Sequence, residues 1–263
     1  MNSETIKITF LVDNNPGEVC RGEHGLSIFI EADKKILFDA GQSSLFLENA
    51  DLLGIDVSAV ETVALSHGHY DHGDGLKYIG GKPLVCHPGC FTRRYRDKNA
   101  GYIGLGFDQN FAEASFCVSL ASSPLKLSES VIFLGEIPRQ NDFEAKPTSF
   151  TNEGGLPDYV VDDSALVVMT PDGLLIIAGC AHSGICNIID YSMRVTGVHK
   201  IAAVVGGFHL KENSTAIDQT LEYFKRADIG MLMPCHCVDE SVINLFHHAF
   251  RCERVFSGKT KIF

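Results

Sequence analysis

The chain has 263 residues, 45% of them hydrophobic and 21% charged, with a formal net charge of −11. This is an ordinary globular composition with enough length for a sizeable core, and its acidity argues against nucleic acid as the partner. No apolar run approaches the ~20 residues of a membrane span, and Met1 to Leu11 lacks the basic and apolar segments of a secretory signal. The nine cysteines are odd in number and scattered, with no C-x-x-C pair. They read as reduced thiols in the cytoplasm rather than a disulfide framework or zinc knuckle. Cys180 and Cys235-His236-Cys237 are the exceptions with chemical potential.

In chain order, Ile6 to Val12 reads as a strand, followed by strands Leu26 to Glu31 and Lys35 to Asp39 around the turn Ala32-Asp33-Lys34. Ser44 to Leu53 has helical spacing. Val60 to Leu65 is a short strand, Gly75 to Ile79 opens a helix, and Lys82 to His87 is a strand. Phe91 to Phe116 is aromatic, charged and glycine-containing, with no clear order. These residues fit a substrate wall or a homo-oligomer contact. Arg93, Arg94 and Arg96, beside Asp97, read as a solvated loop or helix face.

Leu125 to Glu136, Ser164 to Met169, Leu174 to Ala178, Ile201 to Gly206 and Met231 to Met233 read as strands. Gly184 to Arg194, Ser214 to Lys225 and Glu240 to Phe250 read as helices. The least regular stretch is 140–165, with Pro147, Gly154, Gly155 and Pro157. A loop of that length is usually functional or mobile, and covering the site is one use for it. The alternation of strands and helices points to one α/β domain over residues 1–263.

One run carries the chemistry: Leu65-Ser66-His67-Gly68-His69-Tyr70-Asp71-His72-Gly73. His67 and His69, two apart in an extended turn, point the same way and can grip one ion. Asp71 and His72 follow at the bend and can face a second. Imidazole and carboxylate suit zinc, iron, manganese or nickel. A solvated loop that happens to be His-rich is the bland alternative. The same arrangement, an apolar strand ending in a potential ligand, recurs at Asp39, Cys180/His182, His209 and His236. Strands ending on one sheet edge would bring these residues together.

Asp39, the H-x-H-x-D-H run and the later strand-end histidines resemble the metallo-β-lactamase fold superfamily. E-H-G-L-S (Glu23 to Ser27), L-F-D-x-G-Q (Leu37 to Gln42), G-C-A-H-S-G-I (Gly179 to Ile185), G-G-F-H-L (Gly206 to Leu210) and P-C-H-C (Pro234 to Cys237) resemble one branch of it. That branch includes metal-dependent hydrolases and an archaeal synthase of methanopterin biosynthesis. The resemblance implies an αβ/βα four-layer sandwich: two mixed β-sheets, helices outside, and a metal site at one edge. It implies His67 and His69 on one ion, Asp71, His72 and His236 on a second, and Asp39 orienting ligands from behind. His182 would complete the first ion. Cys180 stands where the superfamily often has a bridging aspartate, as a thiolate ligand or a packed thiol. His209 is a ligand or a substrate contact.

Several residues have quieter readings. Asp163 contacts the nucleophilic water or caps a turn. His24 lines the pocket or belongs to a turn. His87 is a capped or packed histidine, and Cys235 and Cys237 are core thiols. His199, His247 and His248 are surface or core. The expected activity is a metal-dependent hydrolase. It would use one or two divalent ions, zinc first, to activate water against a small ester, lactone, amide or phosphoester, with Asp71 assisting. A pterin-type transferase and a non-catalytic or di-iron redox member are the alternatives.

Overall fold

The computed structural model describes residues 5–96, 101–146, 148–212 and 214–263. Asp97 and Pro147, singled out above, lie outside the described residues. In chain order the strands are β1 (Lys7–Val12), β2 (Ser27–Glu31), β3 (Lys35–Phe38), β4 (Thr62–Ala64), β5 (Pro83–Cys86), β6 (Arg94–Tyr95), β7 (Cys117–Leu120), β8 (Leu125–Lys126), β9 (Val131–Phe133), β10 (Thr151–Asn152), β11 (Ala165–Thr170), β12 (Gly173–Ala178), β13 (Ile201–Gly206), β14 (Leu232–Pro234) and β15 (Thr260–Ile262). The helices are α1 (Leu45–Leu52), α2 (Tyr70–Gly73), α3 (Gln109–Ser115), α4 (Ile185–Thr196), α5 (Ile217–Ala227) and α6 (Glu240–Ala249).

Seven strands form one mixed sheet in the order β15-β1-β2-β3-β4-β5-β7, and six form a second in the order β14-β13-β12-β11-β9-β8. Alternation along each strand sends side chains to two faces. Ile8, Phe10, Ile28 and Phe38 of the first sheet meet Phe133, Leu166, Leu175 and Val205 of the second in one buried cluster. On the far side of the first sheet, Leu11, Leu37 and Val63 bury Leu45, Phe46 and Ala50 of α1. On the far side of the second, Val167, Ile176 and Val204 bury Ile188 and Ile189 of α4, Phe224 of α5 and Phe246 of α6. Each such large apolar side chain contributes roughly 1.5–3 kcal/mol by leaving water. The architecture is therefore the αβ/βα sandwich: helices, sheet, sheet, helices. Among the described residues, no helix is long and apolar enough to cross a membrane.

β3, β4, β5 and β7 are mutually parallel, as are β12, β13 and β14. Parallel strands end together, so the loops leaving their carboxyl ends share one edge, where open α/β sheets bind ligands.

Several predicted elements move. The helix expected at Gly75 to Ile79 begins earlier: α2 lies inside the His-rich run, and Asp74–Tyr78 is a 3₁₀ turn. The strand expected over Leu125 to Glu136 is a hairpin, β8 and β9. Ser128 and Ser130 both bond Asp33, which folds the chain back there. β7 and β15 were not expected. β7 is a mostly exposed edge strand with weak apolar alternation, so its pattern is faint. Arg94 corrects the reading of its cluster as a solvated face: its side chain is 1% exposed, among buried aspartates.

Candidate metal centre

Asp39 follows β3 in a left-handed conformation, φ 57°. Its Oδ1 accepts from the Ser66 amide at 2.7 Å, and its Oδ2 accepts from Ser66 Oγ at 2.7 Å. His72 Nδ1 lies 2.6 Å from the same Oδ2, and Ser66 Oγ lies 2.8 Å from His67 Nδ1. A carboxylate only accepts, so these contacts fix the tautomers. Ser66 donates to Asp39 and receives from His67 Nδ1–H, while His72 donates from Nδ1. Both rings then aim an Nε2 lone pair into the same space. Asn14 does the same for His236. Its amide nitrogen donates to the His236 carbonyl at 2.9 Å, so its oxygen faces His236 Nδ1 at 2.9 Å and accepts. The His236 Nε2 lone pair also faces inward.

The inward atoms meet at close range. His67 Nε2 is 2.9 Å from His69 Nδ1, and His72 Nε2 is 3.1 Å from His236 Nε2 and 3.2 Å from Cys180 Sγ. Asp71 Oδ2 lies 3.4 Å from His236 Nε2, 4.0 Å from His72 Nε2 and 3.1 Å from His24 Nε2. With both rings neutral, His72 Nε2 and His236 Nε2 face each other lone pair to lone pair, which repels unless a cation lies between them. Two nitrogens on one tetrahedral zinc stand about 3.3 Å apart. The donor atoms of His67, His69 and His182 form one group within 4.8 Å. Overlapping groups join His67, His72 and Cys180, then Cys180, His236 and Cys237, then His24, Asp71 and His236. Buried Nε2 atoms of His69 and His182 have no hydrogen-bond partner. These observations fit divalent cations.

Burial holds His67, His182 and His236 below the usual imidazole range, with neighbouring histidines adding to it, and His69 falls to about 3. These rings stay neutral, as ligands must. Burial works against a charge on His72 too, but Asp39 outweighs it and raises His72 to about 9. A cation would have to displace that proton. For Asp71, burial opposes charge, yet contacts from His236 and His24 hold its carboxyl well below its ordinary value. Burial and the adjacent Cys237 push the Cys180 thiol up. A coordinated thiol is deprotonated outright.

The structure thus gathers His67, His69, Asp71, His72, Cys180, His182 and His236 into overlapping donor groups, with Asp39 behind His72. His209 stands one layer out, its ring centroid 4.5 Å from that of His182. Asp163 does not reach the donor atoms. It accepts from the backbone and hydroxyl of Ser183 and so caps the turn carrying His182; burial raises it to about 6. His87 Nδ1 accepts from the Gly89 amide. Asn14, Asp13 and Asp162 are site residues the sequence reading missed. Asp13 Oδ2 accepts from the His236 amide at 3.0 Å, and Asp162 Oδ2 accepts from the Gly68 amide at 2.8 Å. The signal for the first pair was there: Val12-Asp13-Asn14 is another apolar strand ending in polar residues.

Two cavities meet at the donor cluster. A small one of about 130 Å³ borders Asp71, His236, Asn14 and Tyr70. A larger one of about 670 Å³ is walled by Phe143, Phe150, Tyr159 and Phe208. His182, His209, Phe150 and Lys211 border both. The irregular 140–165 segment therefore forms a wall of the space beside the site. The Phe150 ring packs edge-on against His69 and His182, with centroids 5.1 and 5.6 Å away.

A Cβ on Gly68 would sit 1.8 Å from the Cys90 carbonyl oxygen. Gly68→Ala must move backbone, so it is expected to cost about 1–3 kcal/mol and misplace His67 and His69. Urea unfolding with metal analysis checks both effects. Separately, burial raises Asp162, but Arg94 and the Gly68 amide outweigh it and hold the carboxyl below its usual value. Its contribution to stability is present above the unfolded pKa of about 3.9 and fades as pH falls through the lower folded value. Asp162→Asn should flatten the fall of stability below about pH 4. An unchanged slope in acid unfolding curves would contradict this.

Residues 20–83 match the family described as the metallo-beta-lactamase superfamily. Together with the full-length relatives below, that match shows that the chain belongs to this superfamily. An uncharacterised protein of Methanocaldococcus jannaschii is 36% identical, over 88% of this chain and 90% of the relative. From the same organism, 7,8-dihydropterin-6-methyl-4-(beta-D-ribofuranosyl)-aminobenzene-5′-phosphate synthase is 30% identical, over 97% of this chain and 96% of the relative. A crystal structure described as a metal-dependent hydrolase of the beta-lactamase superfamily superposes with a TM-score of 0.88 at 30% identity, covering 97% of this chain and 98% of that one. A diphosphatase of the PhnP family, 13% identical with a TM-score of 0.58 and 98% of each chain covered, shares the fold.

Proposed function

We propose that this protein is a metal-dependent hydrolase of a small molecule, with a dinuclear centre. His67, His69 and His182 hold one ion, and Asp71, His72, His236 and Cys180 hold the other. The convergence of imidazole and thiol donor atoms at 2.9–3.2 Å carries this reading. Nitrogen and sulfur donors favour zinc, with iron, manganese and nickel behind it. Bound ions supply a water acidified to near-neutral pKa and positive charge for the developing oxyanion.

The protein's own groups do the rest. Asp39, Ser66 and Asn14 lock the ring orientations, so the donors are preorganised. Asp71, held ionised by His24 and His236, orients the attacking nucleophile. The small cavity takes the scissile ester, lactone, amide or phosphoester group. The larger one takes the rest of the molecule, and its aromatic wall suits a flat or apolar body. The shared core and the site drawn from both sheets support reading residues 1–263 as one domain. Free cysteines throughout fit a cytoplasmic setting.

Metal analysis by mass spectrometry tests this. Wild type should carry roughly two ions per chain. His69→Ala and His182→Ala should each carry fewer and lose turnover on ester, lactone and phosphodiester panels. Full turnover in His69→Ala would sink the proposal. A second reading, a pterin-type transferase, is supported by the synthase that is 30% identical across nearly the whole chain. The same donors would then assist departure of diphosphate from the pterin methyl carbon while an aromatic carbon or nitrogen attacks that carbon and gives up its proton to solvent. Product formation from a dihydropterin diphosphate and an aminobenzene riboside phosphate, with no hydrolysis, would favour it.

A further inference from the structure

We infer that Asp162, gripped by Arg94, is a positioning residue that holds the His67-Gly68-His69 turn and ties it to the segment walling the large cavity. The inference rests on the metal-centre reading above. Gly68 is the one residue between the two histidines, and its amide donates to Asp162 Oδ2 at 2.8 Å. Arg94 grips the same carboxylate with both arms of its fork, Nη2 to Oδ1 at 2.8 Å and Nη1 to Oδ2 at 3.1 Å. Nη2 also donates to the Gly89 carbonyl at 3.1 Å. Arg94 Nε lies 3.0 Å from Asp158 Oδ2, outside hydrogen-bond alignment, so that contact is an ion pair only. Arg94 is 1% exposed and Asp162 is fully buried.

Buried ion clusters seldom outperform well-packed apolar side chains in stability, so stability alone is a weak reason for this one. Its geometry gives it a job. The turn is squeezed between two walls: the Gly89–Cys90 backbone, which leaves no room for a side chain at Gly68, and the Asp162 carboxylate. Arg94 bonds both walls at once. A bidentate fork fixes the carboxylate in direction as well as distance. Asp162 thus sets the spacing and tilt of His67 and His69 without touching an ion itself. Asp158 and Asp162 flank Tyr159 and Val160, which line the large cavity, so the same cluster anchors that wall.

Cobalt(II) substitution tests the clamp, because its visible bands report ligand geometry directly. Zinc-free protein is titrated with cobalt for wild type, Asp162→Asn and Asp158→Asn. Asp158→Asn is the matched control: it removes a charge from the same cluster without reaching Gly68. Asp162→Asn is expected to weaken cobalt binding about 10- to 100-fold and to shift the bands. Asp158→Asn should leave both nearly unchanged. A wild-type spectrum and affinity in Asp162→Asn, or equal effects in the two variants, would overturn the clamp. If Asp162→Asn does not fold, Arg94→Lys carries the test, since it keeps the cation and loses the fork; wild-type bands there would equally overturn it. If wild type binds no cobalt, the metal-centre reading fails first, and the two failures are told apart.

Discussion

Chelating the metal is expected to lower the melting temperature by about 8–16 °C relative to protein held at a thousandfold excess of ion over its dissociation constant. Ligand that binds only the folded state adds about 4.1 kcal/mol under that condition. A chain of this size gains roughly 2–4 °C for each kcal/mol. The effect is large because the packing offers these donor atoms few other partners. Burial keeps His67, His69, His182 and His236 neutral, and His69 and His182 carry buried ring nitrogens without partners. Calorimetry with and without chelator, followed by readdition of zinc, checks this. An unchanged transition would mean that the donors are satisfied without an ion.

Arg94→Ala is expected to cost about 3–5 kcal/mol, the usual penalty for removing one partner from a buried ion pair. The arginine neutralises Asp158 and Asp162 together, and both carboxylates are buried. Alanine leaves two negative charges in a site that water enters poorly. The midpoint of urea unfolding should fall accordingly, and part of the loss should return in Arg94→Ala/Asp162→Asn. A cost below about 1 kcal/mol would show that the cluster is solvated and behaves like a surface pair.

Much of the site was legible because its residues obey one rule of position. Asp39, His67, Cys180, His209 and His236 each follow an apolar strand, and parallel strands end on a common edge. What escaped the reading was not encoded by strand ends. Asp162 acts through its grip on a backbone amide, and nothing local in Val161-Asp162-Asp163-Ser164 says which aspartate faces the turn. Its neighbour Asp163 looked equally placed and turns out to cap Ser183. Arg94 sits in a run of charged residues whose composition reads as solvent-facing, and only the fold buries it. The edge strands β7 and β15 carry one-sided or weak patterns because one of their edges has no partner strand.

The backbone at the centre has a consequence for how the sequence can drift. Asp39, Ala181, His209 and His236 all adopt left-handed conformations, with φ between 49° and 57°. Side chains other than glycine, asparagine and aspartate seldom settle there, so Ala181, His209 and His236 each carry a cost of order 1 kcal/mol or more, and Asp39 a smaller one. Asp39 and His236 carry groups the centre needs and His209 borders both cavities, so the easy relief of glycine would delete a working side chain at all three. Ala181 alone could relax without losing such a side chain. The protein can therefore gain stability cheaply at one of these strand ends. At the other three it must keep its strain for as long as it keeps the site.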